Sequence, residues 1–362
     1  MTNDQMKLQL QVIDFLRFPM AIAVVVLHYG VTFCTQAKGL VNFLFVVFSN
    51  GVCRLAVPFF FFASGFLFFY RLWDWDWNLW REKIKRRVRT LLVPYLLWNA
   101  IAFFCFYLWY YLHGGENSLL QQFANYGGIK IFWNASLWGG EAVVPLTARA
   151  MPIDGPLWFI RDLMYYSLLT PFFYLFVKKL KLYGVIAVCF FSIAYQGLIP
   201  DGFVFFLLGS FFQIKRKNFL MFKSKRYYIY FLTLLLLVAY YFFYDTDYWS
   251  KVIRFFFLFF GIYSSICLSE RALFNGIQIN SFLTKSSFFI FATHNILILA
   301  SIATPIVRRI LPFSGQLWES IHFVLIPALT VLICLSMLLL AEWVIPRTTF
   351  ILTGARSTRQ RK

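Results

Sequence analysis

Ten apolar runs recur along this chain, at residues 12–33, 51–70, 91–112, 156–177, 183–199, 202–214, 227–244, 252–269, 286–305 and 318–345. A hydrocarbon core of ~30 Å takes roughly 17–25 helical residues to cross, and nearly all of these runs reach that length. Lipid offers no partners to backbone N–H and C=O groups, so spanning segments of this kind must satisfy them internally, as helices. The expected fold is an all-α integral membrane protein of about ten transmembrane helices enclosing a polar cavity. The sixth run has only thirteen residues and is read as tilted into its flanks or partly re-entrant. Composition agrees: 60% of the 362 residues are hydrophobic and 14% charged, too few charges to cover a soluble globule of this size.

Lysine and arginine set the orientation. With the N-terminus inside, 24 of the 34 basic residues fall in cytoplasmic segments: Lys7, seven within 71–90, the KKLK at 178–181, six within 215–226, Arg271, Lys285, and five from Arg347 to Lys362. External segments hold six: Lys38, Lys130, Arg149, Lys251, Arg308 and Arg309. This asymmetry places both termini in the cytoplasm. The net charge of +19 is then topological, with attraction to anionic headgroups as a further effect, and it calls for no nucleic-acid partner.

Residues 1–345 read as one polytopic domain and 346–362 as a basic cytoplasmic tail. The first run carries charges within its apolar stretch and only a weakly basic n-region, so it is expected to remain as a helix rather than be cleaved as a signal peptide. The longest connection, His113 to Gly155, is rich in Gly, Asn and Trp and could fold over an external opening. The absence of an internal repeat weighs against an inverted-repeat transporter. The six cysteines show no paired or metal-ligand spacing and are expected to pack. No HExxH, GxSxG or Gly-rich phosphate loop occurs, which leaves metal hydrolysis, serine hydrolysis and ATP use without support.

The ionisable groups inside the runs carry the chemistry. In the first, Arg17 and His28 lie within about 20° of one helical face and about 16 Å apart along the axis, with Asp14 on the same side and Pro19 a possible kink. Asp14 and Arg17 also suit a simple i, i+3 ion pair near the boundary. Arg54, Arg161 and Asp162 enter their runs from the outer side at a depth close to that of His28, so a base and two cations would share one outer-half cavity. Arg161 and Asp162 equally suit a helix end at the headgroups. On the inner side, Arg86 and Arg89 at i, i+3, with Arg87 between them, would present guanidinium forks to a phosphate, or serve only as positive-inside charge. His294 sits near the middle of the ninth run, a second proton carrier or substrate contact.

Five stretches together resemble the membrane-bound acyltransferase 3 family: IDFLRFPMAIAVVVLH, RLAVPFFFFASGFLF, KRRVRTLLVPYLLW, GPLWFIRDLMYYSLLTPFFY and SFFIFATHNIL. The resemblance spans most of the chain in the family's order. It departs at Phe15, Phe18 and Pro19, where small residues are frequent, and lacks the appended hydrolase-like domain of some members. The resemblance implies ten helices and transfer of an acyl group, usually acetyl, from cytoplasmic acyl-CoA to a hydroxyl of an extracytoplasmic glycan, at the cell membrane. It maps the first-helix arginine and histidine to Arg17 and His28, and the paired arginines to Arg86 and Arg89.

On that reading Arg86, Arg87 and Arg89 dock the phosphates of acyl-CoA, and the pantetheine arm threads outward. His28 acts as general base, Arg161 or Arg54 stabilises the oxyanion, and Arg17 positions the donor. Trp158, Asp14, Asp162 and His294 are secondary candidates. The partners are acyl-CoA, a surface glycan or lipid-linked saccharide, and the bilayer, with no metal. A polysaccharide or lipid-linked sugar transporter or flippase, or an acyl conduit for a partner transferase, would want similar aromatic cavities and buried charges.

Overall fold

A computed structural model describes residues 2–72, 74–112, 132–133, 151–195 and 199–355. His113, most of the 113–155 connection and residues 356–362 of the basic tail lie outside the described residues. No strand occurs among those described.

The described residues form fourteen α-helices, α1 to α14 in chain order. α1 (Asn3–Phe33) begins on a capping box in which Thr2 and Gln5 exchange side-chain and backbone hydrogen bonds, and it runs unbroken through Pro19. It therefore starts nine residues before the apolar run does. α2 (Gly39–Leu44) leads through a π-helical turn at Phe45–Ser49 and a 3-10 turn at Val52–Leu55 into α3 (Ala56–Phe69). α4 (Trp77–Arg87) is capped by the Asp76 carboxylate and passes through a π turn at Val88–Leu92 into α5 (Val93–Leu112). α6 (Trp158–Leu168) and α7 (Thr170–Ala194) follow, and α7 breaks at Lys181, whose φ is 53°. That break falls in the KKLK motif, between the fourth and fifth apolar runs.

α8 (Asp201–Ile214), α9 (Arg226–Phe242) and α10 (Asp247–Phe274) come next. α11 (Ser281–Thr293) continues as a π-helical stretch, His294–Ala303, into α12 (Thr304–Ile310). α13 (Gln316–Val344) and α14 (Pro346–Leu352) close the chain.

Among the described residues, five helical segments are long and apolar enough to cross a membrane: Asn3–Phe33, Gly39–Phe69, Trp77–Trp109, Asp247–Phe274 and Gln316–Val344. A sixth is the pair Ser281–Ile296 and Ile298–Ile310, bent by 64°. The second span begins at Gly39 rather than 51 because the π and 3-10 turns join α2 to α3. The ninth run is a broken helix rather than a straight one.

The thirteen-residue sixth run forms α8, a short apolar helix of 14 residues. Its place is fixed by two glycines. A Cβ on Gly65 of α3 would overlap the Phe206 carbonyl oxygen, and a Cβ on Gly209 of α8 would overlap that of Phe62. Small residues at such a crossing let two helix backbones touch, which compensates for the lack of a hydrophobic drive between helices in lipid. Phe59, Phe66, Phe205 and Phe206 fill the space around them, each no more than 1% exposed.

Candidate active site

Four helical segments each turn one stripe of side chains toward a common cavity of about 290 Å³. α3 contributes Phe60, Ala63, Ser64, Leu67 and Phe68; α4 and the π turn after it contribute Lys83, Arg86, Arg87, Thr90 and Leu91; α11 contributes Thr284, Ser287, Phe288 and Phe291. These sets follow the i, i+3, i+4, i+7 spacing of one helical face. α6 adds Phe159, Ile160 and Leu163, and α1 adds Arg17.

Four cations therefore share this cavity, but they are not equivalent. Lys83 Nζ donates to the carbonyls of Phe68 (2.7 Å) and Tyr70 (2.8 Å), which tie down the frayed end of α3. Arg87 Nη2 donates to Ser64 O at 3.3 Å, and its guanidinium lies 5.2 Å from the centre of the Phe68 ring. Arg17 pairs with Asp14 at 2.9 Å. Arg86 is exposed and makes no hydrogen bond or ion pair with any described residue. Lys83, Arg86 and Arg87 thus form an i, i+3, i+4 face in which two cations hold the wall and one stays open to an anion.

Arg89 is absent from this wall and is exposed. The stripe that faces the cavity, Lys83, Arg86, Arg87, Thr90 and Leu91, keeps helical spacing through the π turn and is centred near Lys83 and Arg87, with Arg86 at its edge and Arg89 a further ~60° round the helix. Lys83 is the cavity residue the sequence reading passed over, although its spacing to Arg86 and Arg87 was the signal.

Neither His28 nor His294 lines this cavity; Phe291 on its wall is the residue that links it to them. Its ring centre lies 6.4 Å from that of His294, and His294 lies 5.0 Å from His28, tilted by 57°. His294 is fully buried and opens the π-helical stretch where the ninth span bends. Its Nδ1 is 3.0 Å from the Ile290 carbonyl, which can only accept, so that nitrogen carries the proton. Nε2 is then a bare acceptor, buried without a protein partner. Irregular helix at membrane depth is tolerated where it lines a cavity, and π turns collect at functional sites.

Arg54 and Arg161, expected on the outer side, have different partners. Arg161 is 7% exposed, its Nη2 bonds Asp162 at 2.9 Å, and its Nη1 donates to the Trp133 carbonyl at 2.9 Å. Around it stand Tyr95, Tyr165 and Trp133, with the Tyr95 and Trp133 rings 5.4 Å apart. Trp158, half-buried at the start of α6, packs 6.4 Å from Phe61. Arg54 belongs to a second cluster: its Nε bonds Asn50 Oδ1 at 2.8 Å, and Asn50 in turn bonds the Tyr244 hydroxyl at 3.0 Å. Neither arginine lines the cationic cavity.

Beside the first cluster lies Asp154. Its backbone N–H donates to Asn99 Oδ1 at 3.1 Å, but its Oδ2 is buried without a partner, and burial holds its carboxyl well above the usual carboxylate range. No group of three or more His, Cys, Asp or Glu residues suited to a metal occurs among the described residues.

A family described as an acyltransferase domain matches residues 10–343, nearly the whole chain and every wall of this cavity. The chain is also similar to the succinoglycan biosynthesis protein ExoH of Rhizobium meliloti (strain 1021), with 31% identity over 144 residues. That stretch covers 39% of this chain and 35% of the relative, so the chain matches about a third of the relative's length. No solved structure matches it. With its apolar helices, cationic cavity and match from residue 10 to residue 343, the chain belongs to the acyltransferase 3 family of multi-pass membrane enzymes.

Proposed function

We propose that this acyltransferase moves an acyl group, acetyl in the simplest case, from acyl-CoA to a hydroxyl of an extracytoplasmic cell-surface glycan or lipid-linked saccharide. The observation that carries the reading is the cavity itself: an open cation at one end, an aromatic corridor, and a histidine pair just beyond it. The nucleotide phosphates of CoA suit Arg86, with Lys83, Arg87 and Arg17 adding positive charge. The pantetheine arm would lie along Phe60, Phe159 and Phe291, bringing the thioester toward His28. The similarity to a succinoglycan biosynthesis protein supports a glycan acceptor.

In this scheme His28 removes the proton from the acceptor hydroxyl as its oxygen attacks the thioester carbonyl. The tetrahedral intermediate collapses, the C–S bond breaks, and the imidazolium returns its proton to the CoA thiolate. His294, held as the Nδ1–H tautomer, presents its unpartnered Nε2 as an acceptor in the pocket beside His28. Arg54 is the better placed of the two outer arginines to meet an oxyanion, because its two terminal amino groups make no hydrogen bond with a described residue, whereas both of Arg161's are engaged. The thioester supplies the driving force.

The test is direct. Purified protein with acetyl-CoA and host glycan should yield an acetylated saccharide by mass spectrometry and free CoA in equal amount, and His28→Ala should yield neither. Acetylated saccharide in undiminished amount from His28→Ala would remove the base from the scheme. Indifference of the wild-type protein's thermal stability to CoA would remove the donor.

A further inference from the structure

A second cavity, of about 380 Å³, lies between α3, α8, α9 and α10 and takes no part in the reaction above. Its walls are apolar along their length, with Phe62, Phe212, Leu232 and Phe260 among them. The groove lies at the edge of the bundle, since the far face of α9 is open: Phe231 is 68% exposed and Leu234 60%. At one end it meets the 215–225 connection, where the Phe222 N–H donates to the Tyr263 hydroxyl at 2.9 Å and fixes the chain across the mouth.

The charges at that mouth are sorted. Lys223 and Arg226 both pair with the buried Glu270, at 2.8 and 3.6 Å. Arg271 Nη1 lies 3.4 Å from the Tyr227 hydroxyl. Lys225 lines the groove and makes no hydrogen bond or ion pair with any described residue. The one cation that lines the slot is thus one that no carboxylate among the described residues pairs with.

An apolar slot at the lipid-facing periphery, ending in a lone ammonium within a basic connection, is complementary to a hydrocarbon chain that carries an anion at one end. We propose that an anionic glycerophospholipid seats one acyl chain in this groove and its phosphate on Lys225. The lipid would hold α9 and α10 against α3 and α8, a structural site separate from the cavity that receives the acyl donor.

The test uses the full chain purified in a neutral detergent and follows thermal unfolding against short-chain phosphatidylglycerol or phosphatidylcholine. Phosphatidylglycerol should reach half-maximal stabilisation at a concentration about fivefold lower, the factor expected of one basic contact to an anionic headgroup. Lys225→Gln should abolish that preference, and Leu232→Trp, which fills the slot, should remove the response to both lipids. Phe260→Trp gives the same readout should Leu232→Trp not fold. Lys251→Gln, outside the groove, should respond as wild type. Equal response of the wild type to both lipids, or a preference that survives Lys225→Gln, overturns the proposal. Stronger stabilisation by a polyprenyl phosphate than by phosphatidylglycerol would also overturn it, in favour of a carrier lipid.

Discussion

His28 on α1 and His294 at the start of the π-helical stretch after α11 bring their rings to 5.0 Å, although 266 positions separate them in sequence. Their surroundings differ: His294 is anchored through Nδ1 to Ile290 and fully buried, whereas His28 keeps some exposure. Replacing His28 with Ala should lower turnover by about 10²–10⁴-fold, the usual contribution of a general base, while CoA affinity stays within twofold. His294→Gln, which keeps a hydrogen-bonding side chain, should retain more activity than His294→Leu. Steady-state kinetics across pH, with CoA binding measured in parallel, checks both.

Arg86 and Arg89 are both exposed basic residues three positions apart, and only Arg86 lines the cavity. Arg86→Ala should weaken CoA binding about tenfold or more, the scale of one lost charge-assisted contact of ~1.5–3 kcal/mol. Arg89→Ala should leave it unchanged. Arg87→Ala should cost stability as well as affinity, since it removes the bond to Ser64 O and the contact with Phe68. Calorimetric titration with CoA separates the three, and equal losses for Arg86→Ala and Arg89→Ala would assign the effect to general positive charge.

Gly65 and Gly209 hold α3 and α8 at backbone contact. Either changed to Ala should destabilise the protein by about 1–3 kcal/mol through overpacking, because the obstructing atoms are backbone carbonyls and cannot swing aside. Gly276, which has nothing within 4 Å of an added Cβ but a φ of +83°, should suffer only local strain when changed to Ala. Thermal unfolding in detergent ranks the three.

Asp154 makes a pH-dependent prediction. Burial raises its carboxyl above the unfolded value, so the folded protein holds a proton that the unfolded chain releases. Its stabilising protonated form is fully present below the unfolded pKa of ~3.9, and the contribution is lost as pH rises through the folded value. Asp154→Asn keeps the neutral form and the backbone bond to Asn99. It should raise the melting temperature at pH 7–8, with the gain shrinking toward pH 4. A gain independent of pH would show that the carboxyl titrates alike in the folded and unfolded chain, and would overturn the burial-raised value.

The sequence alone determined the class of molecule. Apolar runs of membrane length fix helices, because lipid leaves the backbone no other partner, and the charges that interrupt them mark Arg17, His28 and His294 before any contact is known. The i, i+3, i+4 face of Lys83, Arg86 and Arg87 was also written there, since helical spacing is local. What the tertiary structure decided are the facts that depend on pairing between distant segments. The cavity takes the Lys83–Arg86–Arg87 face rather than Arg89, and the packing of α11 on α1 brings the His294 ring to His28. Asp162 and the Trp133 carbonyl take up Arg161, while Asn50 holds Arg54. Residue spacing predicts which side chains share a face only while the turn stays at 3.6 residues, and it says nothing of which faces meet.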